Sequence, residues 1–415
     1  MTFHTMIKKI LLLVFLFLTS LFTLTGCTQN TSLENLAYVI AIGIDKGDNN
    51  LIKLSVQFAT PSSNSSDPSS EPSTSSESSI TTAECASFES GINLINSYIS
   101  KKINLSHCKV IVFSEEFAEN GISNEITSLF NNTEIRPDCS IIVSRCDAYD
   151  FLNNSKPLLV NLIERYYEVV VNSGDYSGYS TNIKLIDFYS SINDSTIQPV
   201  AILGGINTPQ THYISEFSNY IDIDSSYKAG EALIKHKNTL EIMGLAVFNN
   251  DKLVGELNGI ETISYLLLKG QLKDFILNIS DPFNKEGIIS LSIKQKELPK
   301  TKLKMVNNSP FISINVPIQA SIVSLTNNND YSSKENLELI SKYTNSYIQT
   351  NLSKFLNKTT NNYNSDIIGY GRKALMQYKN LNLWNQSNWL SNYKNTIFKV
   401  NVNTTIKTSN LLINN

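Results

Sequence analysis

The chain has 415 residues, of which 41% are hydrophobic and 17% are charged, and its formal net charge is −3 at pH 7. This length is sufficient for two or three domains. A pI near 5.9, with Lys and Arg not clustered along the sequence, argues against nucleic acid as a partner, because binding to phosphates requires a basic surface.

The N-terminal segment has the pattern of an export signal. Lys8 and Lys9 precede an apolar run over residues 10–24. As a helix this run would extend about 22 Å, short of the roughly 30 Å of a bilayer's hydrocarbon core, which favours a cleaved signal over a membrane anchor. The run ends at Leu24-Thr25-Gly26-Cys27, which closely resembles the lipobox of bacterial lipoproteins. We therefore predict a lipoprotein signal peptide over residues 1–26.

Cys27 is the predicted lipidation site and the first residue of the mature chain. Thr25 and Gly26 are small enough to leave room for a peptidase beside it, and its thiol can take a diacylglycerol before cleavage. Because two acyl chains such as palmitate suffice for stable anchoring, we expect the mature protein to be held on the outer face of a membrane without a spanning helix. An ordinary signal peptide with a free cysteine beside the cut is the alternative.

The region over residues 27–210 is predicted to be α+β. Two β-rich runs between residues 34 and 60 indicate a hairpin, whose acidic loop at residues 45–50 we interpret as a solvated turn. Residues 61–82 are rich in serine and predict a disordered loop, since they cannot bury enough apolar surface to offset the entropy of ordering. Residues 150–230 are the candidate for a separate middle domain.

Helical and strand periods then alternate along this region. Phe88, Ile92, Ile95 and Ile99 recur at helical spacing. The further elements predicted here are a strand at 108–113, a helix at 115–130, a strand at 139–144 and a helix beginning at 148.

The region over residues 236–410 is predicted to be a second α+β domain. It begins with a hairpin whose tip is at residues 249–251, followed by a helix that is closed by Gly270. Apolar residues alternate with polar ones along two long strands, which is typical of half-buried antiparallel strands. Ser332 and Glu335 suggest a capping box for a long helix, and a last strand covers residues 398–406. The predicted fold class is therefore α+β, a multi-domain ectodomain with mostly antiparallel sheets packed against helices.

The sequence predicts buried, inert thiols at the four cysteines that follow Cys27, which are Cys85, Cys108, Cys139 and Cys146. An extended strand between Cys139 and Cys146 would hold their Cα atoms about 23 Å apart, beyond the reach of a disulfide. Cys108 follows His107, but no further ligand lies at a spacing that would complete a metal site.

No pattern in the sequence indicates catalysis. His107, His212 and His236 lie in unrelated contexts, and the sequence contains no nucleophile elbow, HExxH helix, phosphate loop or dinucleotide-binding glycine pattern. The acidic pairs Glu115–Glu116 and Glu164–Glu168 are typical of solvated helix faces. We predict no catalytic residue, no metal site and no cofactor, and a protein that is not an enzyme.

Four blocks of sequence together carry a resemblance to a known family. They are "YVIAIGIDKG", "SHCKVIVFSEEFAENGI", "GLAVFNNDKLVGELNGIET" and "SDIIGYGRKALMQY", the last followed by tryptophan. In this order the blocks resemble the Ger(x)C family of spore germination lipoproteins, along nearly all of the mature chain.

This resemblance implies a role in a nutrient germinant receptor of the inner spore membrane. There a lipid-anchored C subunit works beside two membrane-spanning subunits, called A and B, and no enzymatic activity is implied. The expected partners are therefore the A and B subunits, and membrane lipid through the acylated Cys27. The alternative is a solute-binding lipoprotein of a transporter, which would usually have two doubly wound lobes with parallel sheets.

Overall fold

The computed structural model describes residues 3–23, 33–59, 78–157, 159–160, 162–207, 223–234, 239–306, 309–326, 331 and 333–407. Internal packing divides the chain into two units, Met1–Leu36 and Ala37–Asn415. The first unit contains helix α1 (Phe3–Thr23), which covers most of the apolar run that the sequence predicts to be a signal. Among the helices of the described residues, none combines the length and apolarity needed to cross a membrane. The serine-rich segment lies mostly outside the described residues.

A mixed sheet of nine strands forms the first part of the second unit. Its order is β3-β2-β1-β5-β6-β7-β8-β9, and β4 pairs with β1. The strands are β1 (Leu36–Lys46), β2 (Ile52–Phe58), β3 (Ser79–Cys85), β4 (Lys102–Asn104), β5 (Val110–Ser114), β6 (Ser140–Ser144), β7 (Val200–Ile206), β8 (Leu240–Asn249) and β9 (Lys252–Leu257).

The centre of this sheet is parallel, although antiparallel pairs predominate over the two sheets of the chain. Strands β1, β5, β6 and β7 run parallel to one another, while β2 and β3 at one side and β8 and β9 at the other are antiparallel. Every residue of β5 and β6 is buried, because helices cover both faces of the sheet. The predicted α+β class is confirmed, and the parallel centre is an addition to it.

Eight helices in the described residues accompany the first sheet. They are α2 (Phe88–Tyr98), α3 (Glu115–Asn120), α4 (Ser123–Asn131), α5 (Ala148–Asn153), α6 (Ile163–Val171), α7 (Gly174–Ser177), α8 (Leu185–Ile192) and α9 (Ile223–Ser226). Helices α2, α3, α4 and α8 contribute to the buried cluster on one face of the sheet. Helices α5 and α6 contribute to the cluster on the other face. The result is a sheet between two layers of helices.

Two predicted elements of this region differ from the structure. The helix predicted over residues 115–130 is two helices, because Gly121 has φ = 106°, a conformation that ends a helix and suits glycine. The loop predicted to extend to residue 82 ends earlier, since β3 begins at Ser79. Strand β3 pairs with β2 along its whole length, and the hydroxyls of Ser55 and Thr82 lie 2.8 Å apart. Hydrogen bonding to β2 stabilises this segment as a strand, although its composition is polar.

Asp45 also differs from the expectation of a solvated turn. Its side chain is buried, and its two carboxylate oxygens accept hydrogen bonds from the backbone N–H groups of Ala148 (2.6 Å) and Tyr149 (3.1 Å). The carboxylate therefore satisfies the free amides at the start of α5 and joins that helix to the end of β1. Lys46 and the residues from Asp48 to Asn50 are exposed.

A second sheet follows in the C-terminal part of the chain. Its order is β10-β11-β13-β12, and β14 pairs with β13 in parallel. Its strands are β10 (Phe275–Asp281), β11 (Asn284–Lys294), β12 (Lys300–Val306), β13 (Ser309–Leu325) and β14 (Ile397–Lys407). The predicted alternation is confirmed in β13, where buried residues alternate with partly exposed ones from Ser309 to Ile322. One face of this sheet is therefore covered and the other faces solvent.

The covered face packs against helices of the same region. These are α10 (Gly259–Lys269), α11 (Lys334–Lys358), α12 (Gly371–Leu375), α13 (Leu381–Ser387) and α14 (Trp389–Asn392). The N-cap of α11 is Ser333, whose hydroxyl accepts a hydrogen bond from the backbone N–H of Asn336, and not Ser332 as the sequence suggests. The predicted cap is thus displaced by one residue.

The hairpin of β8 and β9 joins the two parts of the second unit. By hydrogen bonding it belongs to the first sheet, since β8 pairs with β7. Leu245 and Val247 pack in the cluster that contains the second sheet, whereas Ala246 and Phe248 pack in a cluster of the first sheet. Alternate residues of one strand therefore contribute to both cores. The predicted boundary at residue 236 remains a prediction, and the first sheet continues beyond it.

A buried carboxylate organises the segment after α11. Asp366 has no exposed surface, and its Oδ1 accepts hydrogen bonds from the backbone N–H groups of Gly369 (2.9 Å) and Tyr370 (3.1 Å). Its Oδ2 accepts from the N–H of Gly371 (2.8 Å) and the indole Nε1–H of Trp389 (2.9 Å). Burial raises the pKa of Asp366, and the four donors act in the opposite direction. This carboxylate explains the spacing of the block "SDIIGYG" and its later tryptophan.

The same segment is fastened to the first sheet. The backbone N–H of Gln198 donates to the carbonyl of Asp366 (3.0 Å), and the hydroxyl of Ser365 donates to the carbonyl of Phe248 (2.6 Å). Gly371 lies so close to this region that an added Cβ would be 2.4 Å from the carbonyl oxygen of Thr196. The turn around Asp366 therefore holds the C-terminal helices against β8 and the segment before β7.

We expect Asp366→Asn to destabilise the second unit strongly. Asparagine has an NH₂ group in place of one carboxylate oxygen, and at the position of Oδ2 this group would face the N–H of Gly371 and the indole N–H of Trp389. Both hydrogen bonds would then be lost. Two buried donors without an acceptor would lower the free energy of unfolding by about 3 kcal/mol or more. Thermal unfolding should then occur roughly 5–10 °C lower.

The matched control is Asp175→Asn, which makes the same change in an exposed ion pair with Lys273 and should have little effect. Trp389→Phe should lower the melting temperature by an intermediate amount, because it removes one of the four hydrogen-bond donors to Asp366. Equal melting temperatures for Asp366→Asn and Asp175→Asn would contradict the role assigned to the buried carboxylate.

Candidate functional site

Cys27, the predicted lipidation site, lies outside the described residues. The described helix before it ends at Thr23, and the described chain resumes at residue 33. Lipidation at Cys27 therefore stays a prediction. His212 and His236 also lie outside the described residues.

The four later cysteines are free thiols. Cys85, Cys108 and Cys139 are buried and Cys146 is partly buried. Cys139 and Cys146 lie on either side of β6, as the sequence predicts, and they are not bonded to each other. The Cys139 thiol lies 2.9 Å from the carbonyl oxygen of Cys108. The hydrogen bond with the Cys139 thiol and the burial of the site raise the pKa of Cys108 well above its ordinary value, which makes its thiol a poor nucleophile.

His107 and Cys108 do not form a metal site. The imidazole of His107 packs against the ring of Tyr38 in a tilted arrangement, with centroids 4.7 Å apart, and its Nδ1 lies 4.0 Å from a carboxylate oxygen of Glu164. Cys108 points instead into the buried cluster of the first sheet. Within the described part of the chain, no group of three His, Cys, Asp or Glu side chains is placed to hold a metal ion.

A polar cleft lies at the amino ends of β5 and β6, with a volume of about 380 Å³. Lys109 and Glu168 form an ion pair of 2.6 Å across it, and this hydrogen bond lowers the pKa of Glu168. Arg136 donates from Nε and a terminal nitrogen to the two oxygens of Asp138, at 3.1 and 3.0 Å. Lys184 also lines the cleft and forms no ion pair with the described residues, so the lining carries one excess positive charge.

No pattern in the sequence indicates this cleft. Lys109, Arg136 and Glu168 come from three separate parts of the chain, and only the parallel pairing of β5 and β6 and the position of α6 bring them together. The pair Glu164–Glu168 was interpreted as a solvated helix face, and Glu168 is in fact ion-paired to both Lys109 and Arg165. The volume of the cleft is sufficient for a small polar molecule, but its lining includes no activated nucleophile.

An ion-pair network occupies the opposite edge of the sheet, where ligands of parallel sheets usually bind. Arg145 follows β6, and its guanidinium lies 2.8 Å from a carboxylate oxygen of Glu231 and 3.1 Å from one of Glu256. The other oxygen of Glu256 lies 2.8 Å from the ammonium group of Lys228. Burial and the nearby Glu256 raise the pKa of Glu115. These groups neutralise one another and connect the end of β6 to β9, which indicates a structural role.

The hairpin tip at residues 249–251 is held by contacts within the chain. The backbone N–H of Asn250 donates to the side-chain oxygen of Gln198 (2.6 Å), and the carbonyl of Asp251 accepts from the N–H of Ile122 (3.0 Å). The side chain of Asn249 donates to the carbonyl of Asn364 (3.2 Å). The tip therefore serves to connect the C-terminal segment with α4, and it is less suited to contact a partner than its position in a hairpin suggests.

Two protein-family models and several known proteins are similar to this chain. Residues 29–204 match the family model described as the spore germination protein N-terminal domain, and residues 243–410 match the one described as spore germination B3/GerAC like, C-terminal. Spore germination protein KC of Bacillus subtilis (strain 168) is 22% identical over 90% of this chain and 89% of its own length. Spore germination protein GerQC of Bacillus cereus is 21% identical over 72% of this chain and 74% of its own.

The fold is also similar to that of a solved protein. The crystal structure of the GerBC protein superposes with a TM-score of 0.50 at 17% sequence identity, covering 88% of this chain and 96% of that one. The two family models together account for most of the chain, in the order in which the family blocks occur in the sequence. The chain belongs to the Ger(x)C family of spore germination proteins.

Proposed function

We propose that this protein is the lipid-anchored C subunit of a spore nutrient germinant receptor, and that it acts by assembly with membrane-spanning A and B subunits and not by catalysis. The observation that carries the proposal is the match to both family domains over residues 29–204 and 243–410. The names of the relatives, which are spore germination proteins, support the same role.

A binding role is supported by the arrangement of charged residues. In the cleft, Lys109 and Arg136 are each paired with a carboxylate, and at the opposite edge Arg145 and Lys228 are paired with Glu256. The ion pair with Lys109 lowers the pKa of Glu168, which makes this carboxylate a weak proton acceptor. The pairs of Arg145 and Lys228 with Glu256 join separate parts of the chain, which suits a structural or binding subunit.

Anchoring at Cys27 would place the protein on the outer face of the inner spore membrane. A subunit confined to the membrane plane meets its partners at a high effective concentration, so weak contacts with A and B subunits become sufficient for assembly. The described helices include none that could serve as a spanning anchor.

The alternative of a solute-binding lipoprotein has less support. Its two lobes would each require a doubly wound parallel sheet. The first sheet of this chain has a parallel centre, but β10 to β13 of the second sheet are antiparallel. The second sheet also has an uncovered polar face, which such a lobe does not have.

We expect Cys27→Ala to abolish lipid attachment. Without the thiol no diacylglycerol can be added, so the precursor should keep its signal and incorporate no radioactive fatty acid. Cys146→Ala removes a partly exposed thiol elsewhere and should leave labelling unchanged. Continued labelling of the Cys27→Ala protein would show that the anchor is elsewhere.

Deleting the gene should abolish the response of spores to specific nutrients and leave germination by calcium dipicolinate intact, since that treatment acts without the receptor. If the subunit holds the assembly together, the amounts of the A and B subunits in spore membranes should fall as well. Immunoblotting and optical density during germination measure the two effects. Normal germination over a broad nutrient panel, in a strain without a second receptor operon, would refute the proposed role.

A further inference from the structure

The uncovered face of the second sheet carries a concentration of lysines. Lys300, Lys302 and Lys304 alternate along β12 on the side opposite the buried Leu303. Lys302 lies directly opposite Ser313 of β13, and Ser313 in turn lies opposite Lys399 of β14. All four lysines therefore lie on the same face, which we call the basic face.

The spacing of a sheet sets the density of this charge. Lys302 and Lys399 are on strands two positions apart, about 10 Å, and successive lysines along β12 are about 7 Å apart. These distances are similar to the Debye length of roughly 10 Å at 0.1 M salt, so the ammonium groups act together on an approaching charge. An acidic protein of net charge −3 thus has a local surface of the opposite sign.

Nothing in the described residues neutralises the basic face. Strands β12, β13 and β14 contain no Asp or Glu, and none of the four lysines forms an ion pair within the described part of the chain. Lys294 of the neighbouring β11 is different, since it lies 3.1 Å from a carboxylate oxygen of Asp274. Four like charges without ion-pair partners in the described residues give this face a local positive potential, which an anionic surface would complement.

The remaining residues of the face indicate what kind of partner fits. Its centre is polar, with the side chain of Asn401 donating to that of Asn315 (2.8 Å). At one end Val306 and Ile397 are 51% and 57% exposed. Flexible lysines beside exposed aliphatic side chains are typical of surfaces that lie on lipid headgroups. The outward residues include no Trp, Tyr or Arg, the side chains that usually anchor a protein interface.

We propose that the basic face binds the surface of an anionic lipid bilayer. The proposal rests on the membrane location in the proposed function, and it adds an orientation: the second sheet lies against the headgroups, with α11 on the side away from them. Lys300, Lys302, Lys304 and Lys399 contact lipid phosphates, and Val306 and Ile397 reach the boundary of the acyl region.

Lysine labelling of the full chain tests this orientation. The purified chain is incorporated into vesicles of phosphatidylcholine, or of phosphatidylcholine with phosphatidylglycerol, and a small membrane-permeant acylating reagent is added. Mass spectrometry then gives the labelling rate of each lysine. We expect the four lysines of the basic face to react at least threefold more slowly in the anionic vesicles, and to recover in 0.5 M salt, because screening weakens their contacts with phosphate.

The same chain provides internal controls. Lys354, Lys373 and Lys379 are exposed on or near helices that cover the other side of the sheet, and they should react equally in both kinds of vesicle. Equal labelling of the basic face in both vesicles would overturn the proposal. Protection that occurs only in membranes containing the A and B subunits would also overturn it, in favour of a protein partner.

Two matched variants distinguish the effect of the basic face from the effect of the protein's total charge. In the triple variant Lys302→Gln, Lys304→Gln and Lys399→Gln, the remaining Lys300 should lose its protection in anionic vesicles. The variant Lys354→Gln, Lys373→Gln and Lys379→Gln has the same net charge and should keep it. Loss of protection in both variants would show that total charge and not this face determines binding. None of these measurements involves nutrients, so their result is independent of the germination phenotype.

Discussion

The buried carboxylate of Asp366 is the constraint on which the C-terminal half of the structure depends. A charge without access to water is tolerated only when donors surround it, and here three consecutive backbone amides and one indole nitrogen do so. The requirement fixes the turn that contains Gly369 and Gly371 and the position of Trp389. Through Ser365 and the carbonyl of Asp366 itself, it also fixes how the C-terminal helices meet the first sheet.

The two sheets of the second unit are joined through β8, a strand of the first sheet whose side chains contribute to both cores. Because side chains alternate along β8, Val247 faces one core and Phe248 faces the other. The C-terminal family model begins at residue 243, inside that strand. A boundary drawn from sequence families therefore does not coincide with the boundary between the two sheets.

Charge is used differently at the two ends of the first sheet and on the outer face of the second sheet. Lys109 and Arg136 are neutralised by carboxylates close by, and the network around Glu256 is likewise nearly balanced. Lys302 and Lys399 have no such neighbours in the described residues. Paired charges position structural elements, while unpaired charges on an outer face are free to meet an external anion. This contrast favours a surface over a pocket as the functional feature of the chain.

The sequence by itself determined many of the local elements and the family, because period, capping residues and short blocks are properties of neighbouring residues: Gly270 ends α10, and alternating apolar residues mark the buried side of β13. It did not reveal the parallel centre of the first sheet, although the uninterrupted apolar runs of β5 and β6 are the signal for it. Only the tertiary structure placed Lys399 beside Lys302, since they are almost a hundred residues apart in the chain and meet through pairing with β13. Contacts of this kind depend on strand register, which a single sequence does not contain.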